Sequence, residues 1–111
     1  MFSKRVLRLC QYLGKDQNAG VLCRQLLRSA TSIGANLTEA HHVISRKEFF
    51  FKTYIAYKEC AETQYWLDLL HAGGYLTNIQ YASIHNDCQS LYRLLSSITK
   101  TTRDSSNTQD K

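Results

Sequence analysis

Three glutamates, Glu39, Glu59 and Glu62, are the residues of this chain best suited to moving a proton. A carboxylate does general acid–base work when its surroundings tune its affinity for that proton. Glu62 stands at helical spacing among Phe51, Ile55 and Trp66, an apolar setting that penalises an unpaired charge. Arg28 is its candidate partner, both facing the bundle interior. A buried pair of this kind is more often structural than catalytic, and no substrate-pocket motif accompanies it. His85 and Cys88 share a helical face, but two ligands do not make a zinc site. The adjacent His41 and His42 point in different directions and cannot chelate together. Ser29 and Ser32 lack a nucleophile-elbow glycine pattern and an identifiable base. No phosphate-binding or dinucleotide glycine fingerprint is present. The chain therefore reads as a non-enzyme, with no catalytic residues, no cofactor and no metal.

The elements that must position these residues are helices. The chain has 111 residues and no proline, so nothing forbids long helices. Phe2, Val6, Leu9, Cys10 and Leu13 recur at helical spacing and predict a first helix ending at Gly14. A second helix is expected from about Ala19 to His42, capped by Asp16 or Asn18. Its apolar stripe is Leu22, Leu26, Ala30, Ile33, Leu37 and Ala40. A polar stripe, Arg28, Ser32, Asn36 and Glu39, runs beside it. Arg28 and Glu39 lie about three turns apart, so each needs a partner elsewhere. We group Arg28, Asn36, Glu39 and Glu62 as a structural polar network. Gly34 and Ala35 remove bulk mid-helix, which suits a close approach by another helix.

Ser45 opens a third helix, with Glu48 completing a capping box, and Gly73-Gly74 ends it near Ala72. Phe49, Thr53, Ala56, Cys60, Thr63, Leu67 and Leu70 form one stripe; Phe50, Tyr54, Tyr57 and Tyr65 lie on another. A helix apolar nearly all round is buried on several sides, so these four aromatics are assigned to an oligomer interface. Stacking on single-stranded bases is their alternative use. Thr77 to Gln80 is a second capping box, opening a fourth helix along Ile84, Cys88, Leu91, Leu95 and Ile98. This helix is expected to fray around Lys100, leaving a disordered polar tail from Thr101 to Lys111. The fold class is all-α: an antiparallel up-down-up-down four-helix bundle over residues 1–100 that assembles as a homo-oligomer.

Charge is unevenly placed. Residues 1–60 carry ten lysines and arginines against four acids, whereas residues 61–111 carry four against five. Such asymmetry suits a polyanionic partner, nucleic acid most often, and equally a solvated basic face that keeps the protein soluble. Phosphate contacts are assigned to Lys4, Arg5, Arg8, Arg24, Lys47 and Lys52. No run of about 18 apolar residues exists, so no membrane span is expected. The four cysteines form no Cys-x-x-Cys pair and read as reduced core residues of a cytoplasmic protein.

At its most distinctive residues the chain resembles a bacterial family. These are the small four-helix-bundle proteins encoded by intervening sequences of 23S ribosomal RNA genes, or S23-type proteins. The resemblance covers about Val6 to Leu95. It is carried by Gln25-Leu26-Leu27-Arg28-Ser29, Ser32-Ile33-Gly34-Ala35-Asn36 and Glu39-Ala40, then by Ser45 with Lys47-Glu48-Phe49. Ile55-Ala56, Lys58-Glu59 and Glu62-Thr63 with Tyr65-Trp66-Leu67 complete it. It implies a homopentamer around a central channel and no established enzymatic activity. It also implies a relation to the accessory variability proteins of diversity-generating retroelements, basic pentamers that bind a reverse transcriptase and nucleic acid. The expected function is electrostatic binding of RNA or DNA. The alternative is a protein-interaction scaffold, such as an accessory subunit of a reverse transcriptase.

Overall fold

A computed structural model describes residues 2–109 of the chain. Four helices account for almost all of them: α1 (Phe2–Leu13), α2 (Gln17–Ala40), α3 (Arg46–Ala72) and α4 (Asn78–Gln109). The starts of α2, α3 and α4 are set by side chains that satisfy otherwise unpaired backbone N–H groups. The Asp16 carboxylate accepts from the N–H groups of Asn18 and Ala19 at 2.9 and 3.0 Å, so α2 begins ahead of the expected Ala19. Ser45 Oγ accepts from the Glu48 N–H at 3.1 Å. At α4 the capping box closes in both directions: Thr77 Oγ1 accepts from the Gln80 N–H, and Gln80 Oε1 accepts from the Thr77 N–H. The turn after α3 passes through Gly74 at a φ of 82°, a left-handed conformation that glycine adopts without a Cβ clash.

Neighbouring helices run antiparallel, as their cross-contacts show. Cys10 meets Cys23 and Ser3 meets Ala30 between α1 and α2. Thr63 Oγ1 donates to Ser29 Oγ at 2.8 Å between α2 and α3, where Lys52 also reaches Glu39. Tyr57 faces Tyr92, and Asp68 faces Tyr81, between α3 and α4. Among the described residues no strand occurs.

The core follows the apolar spacing. α3 buries Thr53, Ala56, Cys60, Thr63, Leu67 and Leu70, the expected stripe without Phe49, which is half-buried. Leu26, Ile33, Leu67, Leu70 and Leu95 are the large side chains sealed at its centre. Burying each stabilises the fold by about 1.5–3 kcal/mol before conformational entropy is counted. Gly34 sits under α1, where a Cβ would come within 3.3 Å of Ser3 Oγ; this is the close helix approach that its position suggested.

Two further boundaries differ from the sequence reading. α2 stops at Ala40, with His41 and His42 forming the turn. α4 continues past Lys100 to Gln109, so residues 101–109 of the expected disordered tail are helical. No glycine or proline follows Lys100 to stop the backbone, although the apolar stripe that marks burial has ended. Residues 110–111 lie outside the described residues.

Candidate functional site

The cations assigned to phosphate binding divide into two kinds. Lys4, Arg8, Arg24 and Lys47 are exposed, and none has a carboxylate partner among the described residues. Arg5 and Lys52 are engaged within the chain: Arg5 pairs with Asp87 and also reaches Ser83, and Lys52 bonds Glu39 at 2.6 Å. Lys4 projects between two surface grooves. One, of about 610 Å³, follows the α1–α2 valley and is lined by Leu7 and Leu27 below Lys4, Arg24 and Arg28. The other, of about 640 Å³, lies between α1 and α4 and is bordered by Phe2, Lys4, Arg5, Arg8 and Asp87. Helical spacing brings Lys4 and Arg8 to one side of α1. Antiparallel packing then brings Arg24 of α2 to the groove that Lys4 also lines. The outcome is a cationic belt around the N-terminal helix, with an apolar floor on one side. Lys47 stands apart from it, beside Glu48, Phe50 and Phe51.

The polar network is partly joined. Arg28 forks across the α2–α3 seam, donating to Glu62 and, at 3.4 Å, to Glu59; its Nε donates to Gln25 at 3.2 Å. The Arg28 and Glu62 side chains are 49% and 39% exposed, so this pair lies at the rim of the seam and not inside the bundle. Glu39 joins Lys52 instead. Asn36 is half-buried and donates to the Ser32 carbonyl and hydroxyl, one turn back on its own helix.

The four aromatics assigned from the sequence to an oligomer interface also separate. Tyr54 and Tyr65 are exposed, and Phe50 stacks on Tyr54 at 5.8 Å. Tyr57 turns inward, its hydroxyl 3.0 Å from that of Tyr92 and the two rings 5.0 Å apart. Phe51 and Ile44, which the sequence reading left out of this set, are exposed at 61% and 99%. Their adjacency to the capping box at Ser45 was the available signal.

All four cysteines are free thiols, and they face each other in twos across helix seams. The Cys10 Sγ reaches the Cys23 carbonyl at 3.5 Å, and burial pushes the Cys10 thiol up to about 12. Cys60 and Cys88 bring their sulfurs to 3.9 Å. The hydrogen bond from Cys88 favours the Cys60 thiolate and lowers its pKa against the effect of burial, while Cys88 holds its own proton far more tightly than an ordinary thiol. A further polar cluster joins the end of α3 to the start of α4. The Tyr81 ring lies between His71 and His85, with centroids 4.0 and 5.0 Å away, and its hydroxyl donates to Asp68 at 2.6 Å. That bond, with burial and the Asp68 charge adding to it, pushes the phenol up to about 12. The i, i+4 spacing of Tyr81 and His85 signals half of this cluster; the rest depends on how the hairpin closes. Among the described residues, no three His, Cys, Asp or Glu side chains stand close enough to hold a metal ion. No described helix is long and apolar enough to cross a membrane.

Comparison with known proteins agrees with this architecture. Residues 1–97 match the family of 23S rRNA-intervening sequence proteins. A crystal structure from Bacteroides thetaiotaomicron, of a protein with unknown function from the S23 ribosomal protein family, shares 46% sequence identity. The match has a TM-score of 0.84 and covers 89% of this chain and 92% of that one. None of the curated proteins matches.

Proposed function

The chain belongs to the 23S rRNA-intervening sequence protein family, and from its place there we propose that it is a non-enzymatic, homo-oligomeric bundle that binds nucleic acid. One observation carries this reading: Lys4, Arg8 and Arg24 form a belt of cations on adjoining helices that have no carboxylate partner among the described residues. A cation already paired in the fold gives little to a phosphate, since the new contact must replace the old. Unpaired cations on a rigid helix face bind phosphates by releasing condensed counterions. The apolar floor at Leu7 and Leu27 suits a sugar or an unstacked base lying beside the phosphate track. Repetition around an oligomer, a pentamer by the family resemblance, would multiply contacts that are individually weak.

Fluorescence anisotropy with labelled single-stranded RNA and duplex DNA at several salt concentrations tests the proposal. Affinity should fall steeply with salt. Replacing Lys4, Arg8 and Arg24 together by Gln should weaken binding and reduce the duplex-DNA salt slope by about 2–3. Helix content and oligomer size should stay the same. Arg5 is left out because its loss would strand Asp87. Equal binding by both proteins, or none by either at low salt, refutes the reading and leaves the belt as a docking face for a protein partner.

A further inference from the structure

Cys60 and Cys88 stand directly opposite each other where α3 and α4 meet. Each thiol reaches the other residue's carbonyl, Cys60 Sγ to Cys88 O at 3.7 Å and Cys88 Sγ to Cys60 O at 3.8 Å. This reciprocity means the two backbones approach closely and the two side chains point at each other. The sulfurs are already in contact at 3.9 Å. A disulfide needs facing Cβ vectors and a sulfur separation of about 2.0 Å, so a small rotation of each side chain closes the gap. Both residues are fully buried, which keeps them from linking two chains. Their neighbours Ala56 and Thr63 fill the same core without placing two oxidisable atoms together.

We propose that Cys60 and Cys88 are an oxidative modification site, joined by a two-electron oxidant of the peroxide class into a disulfide that fixes α3 to α4. Cys60 reacts first, because its sulfur lies 3.9 Å from the Cys88 thiol, whose proton is in place to support a Cys60 thiolate as it forms. That sulfur attacks one oxygen of hydrogen peroxide and the O–O bond breaks. Cys60 becomes a sulfenic acid, and the departing hydroxide takes up the thiol proton as water. Cys88 then attacks the Cys60 sulfur, the S–O bond breaks, and its hydroxyl leaves with the Cys88 proton as a second water. Two thiols and one peroxide give one disulfide and two waters; the sulfurs are oxidised by two electrons and the peroxide is reduced by two. Because the partner is already in contact, the sulfenic acid is captured before further oxidation. Burial makes the reaction depend on local opening, so it is slow and selects a small oxidant.

The site is independent of the nucleic-acid reading and is tested on the whole protein. Wild type is incubated with hydrogen peroxide, alkylated without reduction, digested and analysed by mass spectrometry. Trypsin leaves residues 59–93 as one peptide holding both cysteines, which should lose the mass of two hydrogens; chymotrypsin then separates the two ends. Dithiothreitol should restore the original mass. The thermal midpoint of the oxidised protein should rise by about 10 °C, since the bond constrains the unfolded chain. Replacing both Cys10 and Cys23 by Ser should leave the mass loss intact, and Cys88→Ala should abolish it. If Cys88→Ala does not fold, the wild-type peptide decides alone. An unaltered 59–93 peptide, a bond between Cys10 and Cys23 in its place, or a link between two chains would overturn the proposal.

Discussion

Arg28→Ala separates a solvated ion pair from a buried one. The guanidinium serves two carboxylates, Glu62 and Glu59, and one amide, Gln25. With Arg28 49% exposed and Glu62 39% exposed, water screens much of the attraction. Exposed pairs of this kind contribute about 0.2–1 kcal/mol each, and the Glu59 contact at 3.4 Å falls at the weak end. Removing the arginine also leaves Glu59 and Glu62 facing one another one turn apart, a small added repulsion. The expected loss is therefore about 1 kcal/mol, against about 3–5 kcal/mol for breaking a buried pair. Urea unfolding of wild type, Arg28→Ala, Glu62→Gln and the double variant would measure it, with a coupling of about 0.5–1 kcal/mol. The coupling should fade in molar salt, where the screening length is about 3 Å. Several protein concentrations are needed, because assembly adds concentration-dependent stability. A loss above about 3 kcal/mol that persists in high salt would refute the reasoning: the seam would then be covered, with another chain as the cover.

Two further outcomes follow from the same structure. Tyr54→Glu and Phe51→Glu should shift the particle toward monomer in light scattering while the helical circular dichroism stays unchanged, because both side chains are exposed apolar surface on α3; a wild type that is already monomeric at micromolar concentration rules out the interface. Tyr81 should resist ionisation to about pH 12, followed by phenolate absorbance, and Asp68→Asn should return it toward the ordinary tyrosine value of 10.0. Since the folded pKa is the raised one, whatever stability the Tyr81–Asp68 bond contributes is complete below about pH 10 and is lost as pH climbs from there through about 12.

The helices and their buried faces were legible in the sequence because both depend on local rules. A 3.6-residue period decides which side chains share a face, and a serine, threonine or aspartate at a boundary decides where the backbone can begin to coil. That is why Ala56, Cys60, Thr63, Leu67 and Leu70 could be placed in the core, and Ser45 and Thr77 at helix starts, before any neighbour was known. The end of α4 was less legible, since Thr99 is the last buried residue among those described while the backbone meets no breaker. The Arg28–Glu62 pair was named from the sequence, but the tertiary structure decided the other partnerships and the pair's exposed place at the rim. Arg28 and Glu39 share a stripe, yet the axial offset of α3 against α2 gives Arg28 to Glu62 and Glu59, and Glu39 to Lys52. The offset between α1 and α4 occupies Arg5 with Asp87 and leaves Lys4 and Arg8 without a carboxylate among the described residues. Helical periodicity fixes an angle around each axis; how far one helix slides along another is set by the packing of the whole core, and that displacement determines which charges meet and which cysteine sulfurs touch.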